Sequence, residues 1–175
     1  MLQLRDGRAA DAEALAALLT AYLHEGFAGH RGATADELRR DVLRAGATQH
    51  LVLAELGDEV VGFAAWDTVY DMHWALHGAQ VADIYVAPAR RGLGVALALL
   101  VAVCARARRD GATFLRGGAY DRESTRRFFS RVAILSDSGD GHCSGRAFRR
   151  MAELDGRPVR ELARCLPPRE WNFLV

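Results

Sequence analysis

The fold of this 175-residue chain is decided by residues 81–97, which read VADIYVAPARRGLGVAL. Residues 81–86 are β-rich and predict a strand, and the apolar spacing from residue 93 onward predicts a long helix. The first turn of a helix leaves backbone N–H groups without partners and carries a partial positive charge, which suits a phosphate group. Gly92 and Gly94 lack a Cβ, so a ligand can approach the backbone between the strand and the helix.

Other phosphate-binding loops fit this stretch less well. All 23 basic residues are arginine, so the lysine that a P-loop requires is absent. A dinucleotide fold expects Gly-x-Gly-x-x-Gly near the first strand, whereas Gly92-x-Gly94-x-Ala96 lies deep in the chain. A glycine turn with a purely structural role before a core helix is the remaining alternative, and this segment alone leaves it open.

The rest of the chain predicts an α/β fold. Strands are expected over residues 2–5, 50–56, 60–66, 80–86, 113–119 and 147–154. Helical spacing predicts helices over residues 10–24, 93–109, 123–132 and 159–165. A further helix is expected between the capping box of Thr34 and Glu37 and the terminating Gly46. No linker or repeat divides the chain, so we expect one domain over residues 1–175, with helices on both faces of a mixed sheet.

The composition argues against several classes of protein. The formal net charge is only +1, so nothing indicates a nucleic-acid or membrane partner. The three cysteines are too few and too scattered for a disulfide framework or a zinc site. The N-terminus lacks the pattern of a signal peptide, and the longest apolar stretch, residues 95–105, is too short to span a bilayer. We therefore expect a cytoplasmic protein.

The loop before the long helix carries a family resemblance. The pattern Arg91-x-x-Gly94-x-Ala96 matches the Arg/Gln-x-x-Gly-x-Gly/Ala acyl-CoA motif of the GNAT superfamily of N-acetyltransferases, and the preceding Asp-Ile-Tyr-Val strand with Pro88 is also similar to that family. The resemblance is clearest over residues 1–135. It implies an α/β domain with a mixed, mostly antiparallel central sheet and helices on both faces.

The resemblance implies acetyl-CoA as the acyl donor. Backbone N–H groups of the loop would bind the pyrophosphate, and the edge of the preceding strand would pair with the pantetheine arm. A backbone N–H on that edge would also stabilise the tetrahedral oxyanion while an amine attacks the thioester directly, in a ternary complex. The implied acetyl-CoA residues are Ile84, Tyr85, Val86, Arg91, Gly92, Leu93, Gly94, Val95, Ala96 and Leu97. Family members often form dimers, so a homodimer is a further expectation.

A weaker resemblance links the chain to the diamine (spermidine/spermine) acetyltransferase branch. It depends on the Gly-Phe-Ala-Ala-Trp run at residues 62–66, on the aromatic loop around residues 70–74, and on the Asp-Ile-Tyr-Val strand. It implies a small-molecule primary amine, for example a polyamine, as the acceptor. The candidate acceptor-binding residues are Glu25, Asp67, Tyr70 and Trp74. The residues alone leave open that these carboxylates are ordinary solvated surface groups.

Three positions depart from that branch. Ala82 stands where the branch carries a glutamate that is a candidate general base. Phe129 stands where it carries a tyrosine that can protonate the departing CoA thiolate, and Arg122 replaces an asparagine. Loss of a general acid or base lowers a rate by about 10²–10⁴-fold, so these departures still permit the reaction.

Nearby residues offer substitutes for the missing acid and base. The predicted catalytic residues are Tyr120, at the end of a predicted strand, and Asp83. Ser124 and Ser130 are close in sequence, and Tyr85 carries a hydroxyl that strand alternation turns to the other side of the sheet. The alternatives for Tyr120 and Asp83 are a structural tyrosine and a capping carboxylate.

Other functions stay open at this point. The chain is also compatible with a protein or peptide N-acetyltransferase, and Ala82 and Phe129 are compatible with a non-catalytic acyl-CoA-binding module. A metal site at His73-x-x-x-His77 needs a helix, whereas these residues lie in a predicted loop, so no metal is expected.

Overall fold

The computed structural model describes residues 1–27, 29–118, 123–135 and 140–172. The strands in these ranges are β1 (Leu2–Asp6), β2 (Gln49–Leu56), β3 (Glu59–Asp71), β4 (Leu76–Val86), β5 (Phe114–Gly118), β6 (Ile134–Leu135) and β7 (Asp140–Ser144). The helices in the same ranges are α1 (Ala12–Gly26), α2 (Ala35–Asp41), α3 (Val95–Arg109), α4 (Glu123–Phe129), α5 (Gly145–Ala152) and α6 (Val159–Leu162).

The described strands form one sheet in the order β1-β2-β3-β4-β5-β7-β6. Neighbouring strands are antiparallel except β4 and β5, which are parallel and are joined through α3. The core cluster containing α3 lies on one face, and a second cluster built from α1 and α2 lies on the other. The predicted α/β fold with a mixed, mostly antiparallel sheet and helices on both faces is confirmed.

Helix α3 is the centre of the larger core. Its residues from Val95 to Cys104 are buried with the exception of Ala96, which is half-buried. A helix that is apolar on all sides needs cover on its outer side too, and α5 supplies it with Phe148 and Met151, both fully buried. Burial of a side chain of this size stabilises the fold by about 1.5–3 kcal/mol.

Helix α2 begins as the capping box predicts. Thr34 Oγ accepts from the Glu37 N–H at 3.3 Å, and the Glu37 carboxylate accepts from the Thr34 N–H at 2.8 Å. The helix ends at Asp41 rather than near Gly46. The N–H of Leu43 donates to the Leu38 carbonyl at 2.7 Å, five residues back, and this bond closes the helix early.

The structure corrects the prediction for residues 147–154. They were predicted as a strand, but α5 covers most of them and β7 precedes it. The buried residues of α5 are Ala147, Phe148, Met151 and Ala152, which is the spacing of one helix face. Strands β6 and β7 were not predicted, because two residues, or a run with glycine, histidine and serine, carry little β signal.

The β3–β4 hairpin is longer than predicted. Strand β3 continues to Asp71, so Tyr70 belongs to a strand and only residues 72–75 turn. Pairing of β3 with β2 begins at Asp67, and pairing of β4 with β5 begins at Gly78. Residues 68–77 therefore extend past both neighbouring strands as a two-stranded ribbon, which we call the hairpin tip.

Candidate active site

A β-bulge divides β4 into two halves. Ala65 of β3 pairs with Asp83, but the next residue, Trp66, pairs with Val81, so Ala82 has no partner on β3. One extra residue shifts the alternation of side chains between the two faces of the sheet. In the half of β4 before the bulge, the odd-numbered residues Ala79 and Val81 pack in the α3 core. In the half after the bulge, the even-numbered residues Ile84 and Val86 do so.

The second half of β4 turns its polar side chains toward α1. Ile84 and Val86 pack with the α3 core, whereas Tyr85 packs with the α1 core. Asp83 alternates with Ile84 and lies on the face of Tyr85, where it meets Tyr22 of α1. The bulge therefore gathers a carboxylate and two phenols on the α1 side of the strand.

On the side away from β3, this half of β4 pairs with no strand among the described residues, and we call this side its open edge. Pairing with β5 ends at Val81, whose partner is Gly117, and the last described residue of β5 pairs with β7 instead. The N–H of Ala87 points toward β3, where it donates to a carbonyl at 2.9 Å. Because successive residues point to opposite sides, the N–H and C=O groups of Ile84 and Val86 point to the open side. This edge can pair with an extended ligand.

The loop after β4 brings the start of α3 to this edge. Gly92 and Gly94 have φ values of 77° and 81°, which favour glycine, and Gly94 is the N-cap of α3. A Cβ on Gly92 would have no neighbour within 4 Å, whereas a Cβ on Gly94 would lie 2.6 Å from Val159. The first intrahelical bond runs from the Ala98 N–H to Gly94, so the preceding N–H groups of the helix are available to an anion.

Two abutting cavities follow the loop and the edge. The first measures about 310 Å³ and is lined by Val86, Arg90, Arg91, Gly92, Gly94, Val95, Ala96, Leu97, Phe128, Arg131, Val132, Val159, Ala163 and Leu166. The second measures about 270 Å³ and is lined by Tyr22, Glu25, Gly26, Phe27, Ile84, Tyr85, Val86, Arg91, Ala96, Thr125, Phe128 and Phe129. Val86, Arg91, Ala96 and Phe128 line both. The cavities form a channel from the start of α3 to the end of α1, with arginines at the α3 end.

A hydrogen-bonded cluster stands where the cavities meet. Arg91 Nη2 donates to the two oxygens of Glu25 at 2.9 and 2.8 Å, and Arg91 Nε donates to the Val86 carbonyl at 2.9 Å. Tyr85 Oη donates to Glu25 at 2.8 Å, and the guanidinium lies 5.4 Å from the Tyr85 ring centroid. Burial, followed by the bond to Glu25, raises the pKa of Tyr85 to about 12. Glu25 thus binds a cation of the protein itself.

A second pair lies beside this cluster. Asp83 of β4 is close enough to Tyr22 of α1 and to Asp67 of β3 for both to act on its carboxyl group. Burial raises the pKa of Asp83, the nearby Tyr22 hydroxyl opposes that shift, and the negative charge of Asp67 adds to it. Tyr22 lines the second cavity, whereas Asp83 lines neither cavity.

The structure brings together only part of the residues singled out in the sequence. Every implied acetyl-CoA residue except Leu93 lines one of the two cavities. Glu25 lines the second, but Asp67 lines neither and lies in β3 opposite Gln80. Tyr70 and Trp74 lie on the hairpin tip, 51% and 49% exposed, and they line neither cavity.

The residues discussed as catalytic candidates or departures near positions 120–130 are described only in part. Tyr120 and Arg122 lie outside the described residues, as does the side chain of Ser124. Phe129 is 6% exposed and lines the second cavity. Ser130 Oγ donates to the Arg127 carbonyl at 3.0 Å.

His73 lies in the turn of the hairpin tip and His77 lies in β4, so no helix aligns them. Within ranges 1–27, 29–118, 123–135 and 140–172, no group of three or more His, Cys, Asp or Glu side chains is placed to hold a metal ion. Among the helices of those ranges, none has the length and apolar character needed to cross a membrane.

Several lining residues were missed in the sequence. Tyr22 falls within the helix predicted over residues 10–24, where its hydroxyl distinguishes it from its aliphatic neighbours. Phe128 lines both cavities, and Val159, Ala163 and Leu166 come from the C-terminal segment that the sequence left unexplained. No short motif marks these residues, because they reach the channel through the folding of distant segments.

A bulged strand with an open edge, followed by a glycine loop that starts a long helix, places a site for an extended ligand beside a site for an anion. The sequence matches the model of the acetyltransferase (GNAT) family over residues 13–133. Because that match spans more than half of the chain, the protein belongs to the acetyltransferase (GNAT) family and is an acetyltransferase. No curated protein matches the sequence significantly.

Solved structures share the fold. The ribosomal-protein-alanine N-acetyltransferase from Brucella melitensis biovar Abortus 2308 is 22% identical, with a TM-score of 0.65 over 78% of this chain and 94% of that one. The PaiA N-acetyltransferase from Thermoplasma acidophilum, in complex with coenzyme A, is 13% identical, with a TM-score of 0.64 over 81% and 96%. An aminoglycoside acetyltransferase from an uncultured soil metagenomic sample, in complex with sisomicin, is 16% identical, with a TM-score of 0.61 over 74% and 85%.

Proposed function

We propose that this enzyme transfers the acetyl group of acetyl-CoA to a primary amine of a small molecule, with polyamines as the leading acceptors. The observation that carries the proposal is the channel that runs from the start of α3, along the open edge of β4, to the end of α1. GNAT acetyltransferases use acetyl-CoA, and a structural neighbour binds coenzyme A.

The first cavity suits the pyrophosphate end of the donor. The N–H groups from Gly92 to Leu97 would hold the phosphates at the start of α3. Three arginines, Arg90, Arg91 and Arg131, line the same cavity and add positive charge. The N–H and C=O groups of Ile84 and the N–H of Val86 would pair with the amides of the pantetheine arm, while the Val86 carbonyl accepts from Arg91 Nε. This pairing would place the thioester in the second cavity.

The second cavity suits the transfer step. An amine nitrogen would attack the thioester carbon directly, and a backbone N–H on the β4 edge would stabilise the oxyanion. Asp83 is the proposed base, because a raised pKa brings a carboxyl closer to the working pH of an acid–base group. Tyr120 stays a proposed acid that the described residues do not include.

The carboxylates support a cationic acceptor. Asp67 and Asp83 line neither cavity, but they are close enough for the charge of Asp67 to raise the pKa of Asp83. Their combined negative field favours a protonated amine in the second cavity. Glu25 would join them only if the acceptor competed with Arg91. The hairpin tip is left out of the proposed acceptor site, because Tyr70 and Trp74 line neither cavity.

The first test is thermal unfolding with acetyl-CoA, with ATP as the control ligand. Ligand at 100 times its Kd adds about 2.7 kcal/mol of stability, which is a shift of about 5–10 °C for a chain of this size. Ala96→Glu places a carboxylate where both cavities meet and is expected to abolish the shift. Ala89→Glu is the matched control, because it adds the same charge to the exposed turn outside both cavities. Equal shifts in the two variants would contradict the assignment of the channel.

The second test measures release of CoA with spermidine, sisomicin and a peptide with an N-terminal alanine. Turnover fastest with spermidine supports the proposal. Turnover confined to the peptide would make the enzyme a protein N-acetyltransferase. Binding of acetyl-CoA without turnover of any amine would point to a non-catalytic acyl-CoA-binding module.

A further inference from the structure

We infer that Arg91 and a second ammonium group of the acceptor compete for the same carboxylate, that of Glu25, and that the phosphates of the donor decide the competition by drawing Arg91 away. The inference rests on the proposed function and deepens it. It names the acceptors as amines with at least two cationic nitrogens, and it couples their binding to the binding of the donor.

The two cavities differ in the charges that line them. Within the described part of the chain, the first cavity is lined by three arginines and by no carboxylate. Among the described residues that line the second cavity, Glu25 is the one carboxylate and Arg91 is the one cation. Arg91 lines both cavities. An anionic donor in the first cavity and a cationic acceptor in the second therefore each attract one member of the same ion pair.

The Arg91 guanidinium lies where an alkylammonium group of an acceptor would bind. Its Nη2 donates to the two oxygens of Glu25 at 2.9 and 2.8 Å, and its central carbon lies 5.4 Å from the ring centroid of Tyr85. A carboxylate and the face of an aromatic ring both attract an ammonium group. Glu25 also lies in the last turn of α1, where the partial negative charge of the helix end favours a cation.

Arg91 can turn away from Glu25 without a change in the fold. Its side chain is partly exposed, and an ion pair that is open to solvent contributes little to stability. The bond from Arg91 Nε to the Val86 carbonyl fixes the base of the guanidinium, so only its Nη end needs to turn. Phosphate oxygens at the start of α3 are strong acceptors for a guanidinium. Donor binding therefore favours release of Glu25.

Glu25 stays in position when Arg91 turns. Tyr85 Oη donates to Glu25 at 2.8 Å, and Tyr85 is only 4% exposed. Its ring centroid lies 5.4 Å from that of Tyr22 and 6.3 Å from that of Phe63, so the phenol is held by its neighbours. The Glu25 carboxylate then keeps its orientation, and its charge, no longer neutralised by Arg91, faces the second cavity.

The cation that Glu25 binds is the second nitrogen of the acceptor. The reacting nitrogen must lose its proton to water before it attacks the thioester, so it is neutral at that moment. A diamine can present one neutral nitrogen to the thioester and one ammonium group to Glu25, whereas a monoamine cannot. Asp67 and Asp83 line neither cavity, so direct contact with the charge of the acceptor falls to Glu25.

The first test measures the coupling by calorimetry. Spermidine is titrated into the protein alone and into the protein saturated with CoA, which carries no acetyl group and cannot react. We expect spermidine to bind about 10-fold more tightly when CoA is bound, because CoA holds Arg91. In Glu25→Gln the two Kd values should agree within about twofold.

Glu37→Gln is the matched control for the calorimetry. It removes the charge of a carboxylate that pairs with Arg31 on the exposed surface, and it should keep the wild-type ratio. Equal Kd values with and without CoA in the wild type would overturn the inference. So would a ratio that Glu25→Gln preserves, because CoA would then attract spermidine through its own phosphates.

The second test compares putrescine with butylamine and cadaverine with pentylamine at saturating acetyl-CoA. Each pair has the same carbon chain and differs by one amino group. We expect kcat/KM to be about 10- to 100-fold higher for the better diamine than for its monoamine, mainly through KM. Glu25→Gln should reduce this preference to about threefold or less, and Glu37→Gln should keep it.

Failure of the inference and failure of the proposed function give different results. Equal kcat/KM for diamines and monoamines, or a preference that Glu25→Gln leaves intact, would refute the role of Glu25 although the enzyme acetylates amines as proposed. A wild-type chain that turns over no amine would refute the proposed function, while the calorimetric ratio still decides whether CoA releases Glu25.

Discussion

At the scale of single residues, Arg91 shows how a motif residue acquires a second role. The sequence pattern places it in the acyl-CoA loop, and the structure places its side chain across the channel, bonded to Glu25 and to the Val86 carbonyl. The Arg91 and Glu25 side chains are 46% and 27% exposed. An ion pair with that much exposure to solvent contributes about 0–1 kcal/mol to the stability of the fold. Arg91 can therefore exchange Glu25 for an anionic ligand at little cost in stability.

Glu25→Gln tests this exchange. The amide still accepts from Tyr85, but it no longer neutralises Arg91, so the positive charge on both cavities increases. We expect acetyl-CoA to bind about 3- to 10-fold more tightly at low salt, with a smaller gain as salt screens the charge. Calorimetric titration measures the change. Glu37→Gln frees Arg31 on the exposed surface and is the matched control; unchanged or weaker binding by Glu25→Gln would contradict the exchange.

At the scale of elements, α5 is where the prediction from sequence failed. In a run of only eight residues, the apolar positions fit both the spacing of a helix and the alternation of a strand. Arginines at positions 149 and 150 also obscure the apolar face of the helix. Strand alternation would bury every second residue, whereas the structure buries Ala147 and Phe148 together. The two assignments therefore differ at Phe148 and Met151, which a strand would turn to opposite faces but which are both fully buried here.

A pair of alanine substitutions distinguishes the assignments. Phe148 is fully buried against α3, so Phe148→Ala should lower the free energy of unfolding by about 3–5 kcal/mol. Met151 is also fully buried, so Met151→Ala should lower it by about 2–5 kcal/mol. Urea unfolding of both variants measures the two losses. A large loss in only one of the two variants would favour the strand and count against the helix.

The same comparison explains what the sequence could and could not reveal. Long, strongly periodic elements such as α3, and elements with local signals such as the capping box of α2, were predicted because the information lies within a few residues. The bulge at Ala82 is set by pairing with β3, so the face of Asp83 could not be read from β4 alone. The sequence signal for the loop at the start of the channel likewise lies within a few residues. The walls of the channel, in contrast, come from α1, α4 and the C-terminal segment.

At the scale of the whole molecule, the C-terminal segment completes the donor site. Val159, at the start of α6, packs so closely on Gly94 that a Cβ there would lie 2.6 Å from it. Ala163 and Leu166 continue the same wall of the first cavity, and Leu162 anchors the segment in the α3 core. A segment about seventy positions further along the chain therefore sets the shape of the loop that starts α3.

Ala163→Glu tests this wall without disturbing the core. Ala163 is exposed and lines the first cavity, opposite the start of α3. A carboxylate there would repel the phosphates of acetyl-CoA, and we expect a Kd about 5- to 20-fold higher, which is about 1–2 kcal/mol. Ala163→Gln has the same size without the charge and should bind almost as well as the wild type. Because the repulsion is electrostatic, the difference between the two variants should shrink as ionic strength rises. Equal weakening in both variants would show that the wall acts through shape alone, and no weakening in either would remove the C-terminal segment from the donor site.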